Sequence, residues 1–407
     1  MSSTQENDPR VIREQAGLAG FIADYRRRLA QGDIGQLPVL VGLIAIGAIF
    51  EIASHGVFLG PFNLVNLTLQ MAAVGTISVG VVLILLLGEI DLTVGIVSGL
   101  CAAVMAVLNV NMDVPAPVAL LAGTLTGTIV GLFQGFWITR FGIPSFVVTL
   151  AGLIGWQGLL LYVLGPKGTI NLQDPGITRL AGTFFQGPVG YGLAALFLVY
   201  VAGGPLLAYR KRKAAGLTVP PIAFVTIRAV LVSVVVLIAV AALDSDRGIG
   251  SGVVFFVALV VGMDFLLRRT RFGRMIYAIG GNAEAARRAG IPVQRVRMIV
   301  FVLASTLAAW GGILSASRGL AVNQSAGQGA VLLNAIAAAV VGGTSLFGGR
   351  GSVWAALLGI IVIQSISNGM DLLSLQPSIK FMITGAVLLT AVTIDAVLRR
   401  GQQRSGR

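Results

Sequence analysis

The stretch "LLLGEIDLTVG" (85–95) sets two carboxylates, Glu89 and Asp91, two residues apart in an apolar region, with Gly88 before them and Gly95 after. Between His55 and Arg140 the only other charged side chain is Asp113. A charge at a bilayer centre costs about 2.5–3.5 kcal/mol on insertion scales, so each carboxylate needs a task or a partner. Three uses are open: a proton or cation site in an ion-coupled transporter, acid–base chemistry in a membrane enzyme, or a structural role at a helix end. The enzyme reading is the weakest. One cysteine, Cys101, and one histidine, His55, allow neither an internal disulfide nor a Cys or His metal cluster. No nucleophile motif or partner base accompanies the acids, so no catalytic residue, metal or cofactor is expected. His55, near the end of the first apolar run, reads as an interfacial polar residue.

Residues 64–108 form 45 positions interrupted only by Glu89 and Asp91. As one helix they would extend roughly 68 Å, over twice the ~30 Å hydrocarbon core. The chain must therefore break near the middle. Gly88 can end one helix, and Asp91 can N-cap the next, accepting from the amides near Thr93 and Val94. A helix N-terminus also favours the negative charge. Glu89 has no such task. "GGTSLFGG" (342–349) repeats the form G-x-x-[DS]-L-x-x-G, with Gly342, Gly349 and Ser345 as a second N-cap. "PSFVVTLAG" (144–152) likewise matches "PSIKFMITG" (377–385). These pairs suggest an internal duplication, with chance in a Gly- and Leu-rich chain as the rival. Interrupted helices at corresponding places in two halves point to a transport pathway.

The positions around these breaks are membrane spans. The chain of 407 residues is 56% hydrophobic and 11% charged, with a mean hydropathy of +0.90, against roughly 25% charged residues in a soluble domain. Candidate spans are 37–54, 64–87, 92–108, 116–138, 145–164, 190–209, 222–243, 251–267, 298–316, 352–370 and 378–396. The short apolar run 330–346 is a twelfth span or a re-entrant segment, so ten to twelve spans are expected of an all-α bundle. With the N-terminus inside and twelve crossings, the inner side receives 24 of the 29 Lys and Arg. That asymmetry sets the orientation and accounts for the net charge of +13 without nucleic acid. Residues 1–36 read as a cytoplasmic tail, 37–398 as one transmembrane domain and 399–407 as a second cytoplasmic tail. The outer segment 165–189, rich in Gly and Pro, reads as an irregular loop.

Two inner loops stand out. "YRKRKAAGLTVPP" (209–221) reads as a topology anchor. The loop 268–298 carries eight arginines against one acid, Glu284. Within it "GGNAEAARRAG" reads as a short helix: Asn282, following Gly281, is the N-cap, Arg287 and Arg288 lie in the last turn, and Gly290 ends it. A plain connection would not need a capped helix. Isolated polar residues on apolar spans, Gln70, Asn334, Gln364 and Asn368, are candidates for lining a path for an uncharged polar solute. Gln364 and Asn368, four apart, share a helix face, and interhelical packing is their alternative role.

Three stretches in order, "GEIDLTVG", "RFGRMIYAIGGNAEAARRAGI" and "LNAIAAAVVGGTSLFGGRGSV", resemble the permease subunits of bacterial ABC importers for monosaccharides. The resemblance covers about 60–400 and is nearest to the xylose-type branch of the ribose/xylose/galactose permeases, which the longer region 165–250 also resembles. It implies a fold like that of the vitamin B12-type importer permeases. It further implies a permease homodimer in the lipid of the bacterial inner membrane, cytoplasmic ATPase subunits docked on the "GGNAEAARRAG" loop, and an extracytoplasmic sugar-binding protein. ATP hydrolysis would lie on the separate chain, since no G-x-x-x-x-G-K-[ST] loop is present. Family members carry an acidic pair shortly before "AIAA". Here Val331, Leu332, Leu333 and Asn334 stand instead, which puts substrate or regulation in question. The alternatives are an ion-coupled transporter using Glu89 and Asp91, or an ABC permease for ribose, galactose or inositol.

Overall fold

A computed structural model describes residues 37–404 except 217, 218 and 220. The expected N-terminal tail, 1–36, and the last three residues lie outside the described part. Among the described residues, fifteen helices and four very short strands follow one another: α1 (Leu37–Ala53), α2 (Pro61–Leu86), α3 (Val94–Ala106), α4 (Ala116–Phe141), α5 (Ser145–Leu164), β1 (Thr169–Asn171), α6 (Pro175–Gly182), β2 (Phe184–Phe185), α7 (Gly187–Ala214), α8 (Ile222–Asp244), β3 (Ile249–Gly250), α9 (Ser251–Arg269), α10 (Arg271–Gly281), α11 (Ala283–Arg288), α12 (Val293–Gly319), β4 (Ala321–Asn323), α13 (Ala330–Val341), α14 (Val353–Leu372) and α15 (Pro377–Arg404). α3 continues through a π-helical turn, Val107–Asn111. Among the described residues, nine helices are long and apolar enough to cross a membrane. α1 is shorter, and α15 carries the last apolar run and continues through most of the segment expected as a C-terminal tail.

The chain divides into two compact units. The main unit comprises 36–191 and 240–396; the other includes 192–239, most of the helical pair α7 and α8. At the core of the main unit α12 packs on α4, α2 and α3. α2 is apolar overall and largely buried, as a helix enclosed by others must be. Small residues let the backbones approach: a Cβ on Gly80 would lie 2.9 Å from the Ala304 carbonyl oxygen, and one on Gly131 2.7 Å from that of Phe301. Close packing of this kind is what holds helices together where no hydrophobic drive acts between them.

The twelfth apolar run resolves into α13, 12 residues long. At 1.5 Å per residue it extends roughly 18 Å, too short to cross a ~30 Å core. It packs antiparallel on α14, with the missing side chains of Gly342 and Gly359 admitting the Ala355 and Ala338 backbones. The segment 165–189 is more ordered than its composition suggests. Asp174 caps α6 by accepting from the Gly176 amide at 2.8 Å, with Pro175 at the first helical position. β1 pairs with β4 and β2 with β3, both antiparallel.

Candidate functional site

The first interrupted helix ends at Leu86, where Gly88 adopts φ +77°, a conformation a side chain would strain. The two carboxylates then diverge. Glu89 Oε1 lies 2.7 Å from Arg297 Nη2 on the first turns of α12. This is the partner the sequence did not disclose; Arg297 reads there as one more positive-inside arginine. Asp91 is buried, and its Oδ1 accepts from the Thr93 amide at 2.8 Å and the Thr93 hydroxyl at 2.6 Å. It closes a turn one step before the helix, so Thr93 rather than Asp91 occupies the N-cap position of α3, and no bond from the Val94 amide is made. α5 and α4 complete the site. Ser145 Oγ accepts from the Ile90 amide at 3.2 Å, and Gln134 Nε2 donates to Thr93 Oγ1 at 2.8 Å.

The second break has the same local chemistry. Ser345 Oγ accepts from the Phe347 amide at 3.1 Å, two residues on, as Asp91 does from Thr93. Ser345 is not an N-cap, however: α14 starts only at Val353, with Ser352 at the cap position. The intervening glycines carry the chain sideways, with Gly348 at φ +86° and Gly349 at φ +72°. The second proposed repeat pair also opens helices, at Ser145 and Pro377. The first half has one helix more between break and Pro-Ser, namely α4.

The structure brings these motifs together. The Gly349 amide donates to the Leu86 carbonyl at 3.0 Å, joining the second break to the end of α2. α10 closes over the junction. A Cβ on Gly280 would lie 1.8 Å from the Leu86 carbonyl oxygen and 2.5 Å from the Gly349 nitrogen, so backbone touches backbone there. Tyr277 Oη donates to the Gly351 carbonyl at 3.0 Å. Gly95 meets the segment leading into α13 and its first turn: its Cβ would lie 2.5 Å from the Gly327 carbonyl oxygen and 3.1 Å from Leu332 Cβ.

Beyond α10 comes the short helix expected from "NAEAARRAG". Asn282 Oδ1 accepts from the Glu284 and Ala285 amides at 3.1 and 2.9 Å, and Gly290, at φ +81°, ends it. Arg287 and Arg288 are exposed, each 3.3 Å from a Glu284 oxygen. Sequence reading missed α10 itself, which Thr270 caps by accepting from the Gly273 amide at 3.1 Å. Its signal was the buried set Gly273, Ile276 and Ile279 at helical spacing, half hidden among arginines.

The four polar candidates on apolar spans are buried or half-buried in the main unit. Gln364 Nε2 donates to Gln70 Oε1 at 2.7 Å, and Asn63 Nδ2 donates to Asn368 Oδ1 at 2.8 Å. Gln364 and Asn368 thus share the face of α14 that meets α2 in the same chain. Asn334 is buried on α13, beside Ala335, whose carbonyl accepts from Ser78 Oγ at 2.9 Å. Among the described residues, no group of three or more His, Cys, Asp or Glu could hold a metal ion.

A multi-helix membrane bundle with two interrupted segments joined under an exposed, capped helix defines a transport subunit rather than an enzyme. The chain belongs to the family described as the permease component of branched-chain amino acid transport systems, which its residues 63–392 match. It is 35% identical to the xylose transport system permease protein XylH of Escherichia coli (strain K12), over 89% of this chain and 92% of that protein. It is 33% identical to the ribose import permease protein RbsC of Bacillus subtilis (strain 168), over 91% and 96%. The L-arabinose ABC transporter permease protein AraH of Azospirillum brasilense is 29% identical, over 92% and 93%. No solved structure matches the chain.

Proposed function

We propose that this chain is the membrane-spanning permease of an ATP-driven ABC importer that moves a monosaccharide, a xylose-like pentose first among them, into the bacterial cell. The sugar names of its relatives support that substrate class over the amino acids in the family's description. The observation that carries the mechanism is the packing of α10. One rigid element touches both interrupted helices through Gly280 and presents the capped Ala283–Arg288 helix to solvent. A push on that helix has a direct backbone route to both breaks. On this reading α11 is the docking site for a cytoplasmic ATPase, the permease works as a homodimer, an extracytoplasmic binding protein delivers sugar, and both chain termini are cytoplasmic. The fold is of the vitamin B12-type importer class. Gln70, Asn334, Gln364 and Asn368 border the path; Gln70, Gln364 and Asn368 also hold α14 to α2 beside it. Of the residues that stand in place of an acidic pair, Leu332 packs the first turn of α13 against Gly95. An ion-coupled mechanism is disfavoured because Glu89 already has Arg297 as its counter-ion.

The test is co-purification. Arg287→Glu with Arg288→Glu should leave membrane insertion intact and abolish recovery of the ATPase with the tagged permease. In the wild-type complex, ATP hydrolysis should rise when the sugar-loaded binding protein is added. Unchanged recovery and uptake in the double variant would remove α11 from the coupling route.

A further inference from the structure

The helical pair α7 and α8 holds a cleft of about 270 Å³, lined by Val201, Pro205, Tyr209, Arg212, Arg228 and Val232 among others. Its lining residues all fall within the 192–239 unit. They recur at helical spacing, 201, 205, 209 and 212 on α7 against 225, 229 and 232 on α8, so one face of each helix forms the walls. The two ends of the cleft differ. Tyr209 and Arg212 lie near the C-terminus of α7, and Arg228 lies in the second turn of α8. Val201 and Val232 lie further from the connection between the helices. The cleft is therefore cationic towards that connection and apolar away from it. Pro205 sits on the α7 wall, and a proline inside a helix withholds one hydrogen bond and kinks the helix.

The charge here has no answer within the pair. Residues 192–239 hold the cations Arg210, Lys211, Arg212, Lys213 and Arg228, while no Asp or Glu occurs between Asp174 and Asp244. Asp244 ends α8 at its opposite end, where it accepts from the Gly187 amide. Arg228 stands roughly 9 Å into an apolar helix, and a cation at such depth calls for a counter-charge. Arg212 and Arg228 are exposed, so a ligand can reach them. Almost none of either span is buried against protein, so the cleft opens to the bilayer. The basic run 210–213 puts its cationic end at the inner leaflet. The matching ligand has an anion at that interface and an apolar body beneath it. Guanidinium groups bind phosphate oxygens in pairs, and a tyrosine hydroxyl can donate one bond more. Free phosphate would leave the apolar walls uncovered. An acidic peptide would have to bring unpaired backbone amides into the bilayer.

We propose that the α7–α8 cleft is a binding site for an anionic phospholipid of the inner leaflet. Arg212, Arg228 and Tyr209 hold the phosphate, and an acyl chain lies along Val201, Val225 and Val232. The membrane thereby supplies the counter-charge that the helical pair lacks. The site does not depend on which solute the chain moves.

The test uses the full chain in detergent, mixed with phosphatidylglycerol or phosphatidylcholine, with bound lipid counted by native mass spectrometry. Wild type should retain phosphatidylglycerol in preference to phosphatidylcholine. One arginine is worth roughly fivefold in affinity for anionic lipid, so Arg212→Gln with Arg228→Gln should weaken phosphatidylglycerol binding roughly twenty- to thirtyfold. Arg210→Gln with Lys213→Gln removes the same charge from residues outside the cleft lining and should bind nearly as wild type. Ala229→Phe fills the cleft without changing the charge and should also release the lipid. Equal weakening by the two double variants would overturn the site and leave its cations as topology anchors. Phosphatidylcholine retained as well as phosphatidylglycerol would overturn it too, as would full retention by Ala229→Phe. Displacement of the lipid by an equal concentration of inorganic phosphate would make the ligand a soluble anion and overturn the lipid assignment.

Discussion

Glu89 and Asp91 are two residues apart and solve the same electrostatic problem differently. Glu89 is neutralised by Arg297, and the two side chains are 12% and 25% exposed. Removing one member of such a pair strands the other. Arg297→Leu should therefore destabilise the protein by about 3–5 kcal/mol, while Glu89→Leu with Arg297→Leu should recover most of that. Thermal unfolding in detergent of the two single variants and the double variant checks it. Asp91 instead ties down a turn through one oxygen. Asp91→Asn keeps that acceptor and should unfold like wild type, whereas Asp91→Ala should lose about 1 kcal/mol. Equal damage from Asn and Ala would show that the charge itself matters. The sequence made Asp91's task legible because aspartate bonding to amides a little further along is local chemistry. It missed the exact register because the Thr93 hydroxyl competes for the same oxygen. Glu89's partner was illegible for a different reason: the contact is made only once α12 has folded beside the break.

At the scale of elements, α10 joins the two interrupted helices without using a side chain at the closest point. Gly280→Ala would drive a methyl into the Leu86 carbonyl and the Gly349 amide. Uptake and sugar-stimulated ATP hydrolysis should be lost together, because the junction must open. Gly281→Ala, one residue on, meets nothing within 4 Å and should behave as wild type. If both substitutions are neutral in an uptake assay, α10 does not transmit force through this junction. Tyr277 supplies the side-chain bond of the same joint. Burial pushes its phenol above the ordinary tyrosine value, with Arg268 acting against that. The stability linked to the buried neutral phenol is therefore fully present below about pH 10 and is lost as pH rises through the raised value. Tyr277→Phe should cost about 1 kcal/mol at neutral pH and remove that alkaline limb. The capped helix α11 was legible in full from Asn282 and Gly290. The meeting of the two "G-x-x-[DS]-L-x-x-G" stretches was not, since a motif states what a segment does to its own backbone and not which segment it will touch.

At the scale of the whole molecule, the apolar runs could be read directly because a bilayer demands about 20 apolar residues per crossing. What could not be read was that 192–239 belongs to a compact unit of its own, since each of its helices looks like any other span. The base of that pair is closed within the main unit: the Gly187 amide donates to Asp244 Oδ1 at 2.7 Å, and Phe184 and Phe185 pair with Gly250 and Ile249. Replacing 192–239 by a short Gly/Ser linker should leave the main unit folded, and cysteines placed at Lys167 and Arg287 should still be labelled from opposite sides of the membrane. A reversal of labelling would show that the pair takes part in setting orientation. The closed base has an arithmetic consequence. A pair that leaves and rejoins the chain at one point changes the number of crossings by two or by none, so it preserves parity. Such a cassette can be gained or discarded in a single genetic step without turning the Ala283–Arg288 helix towards the other compartment.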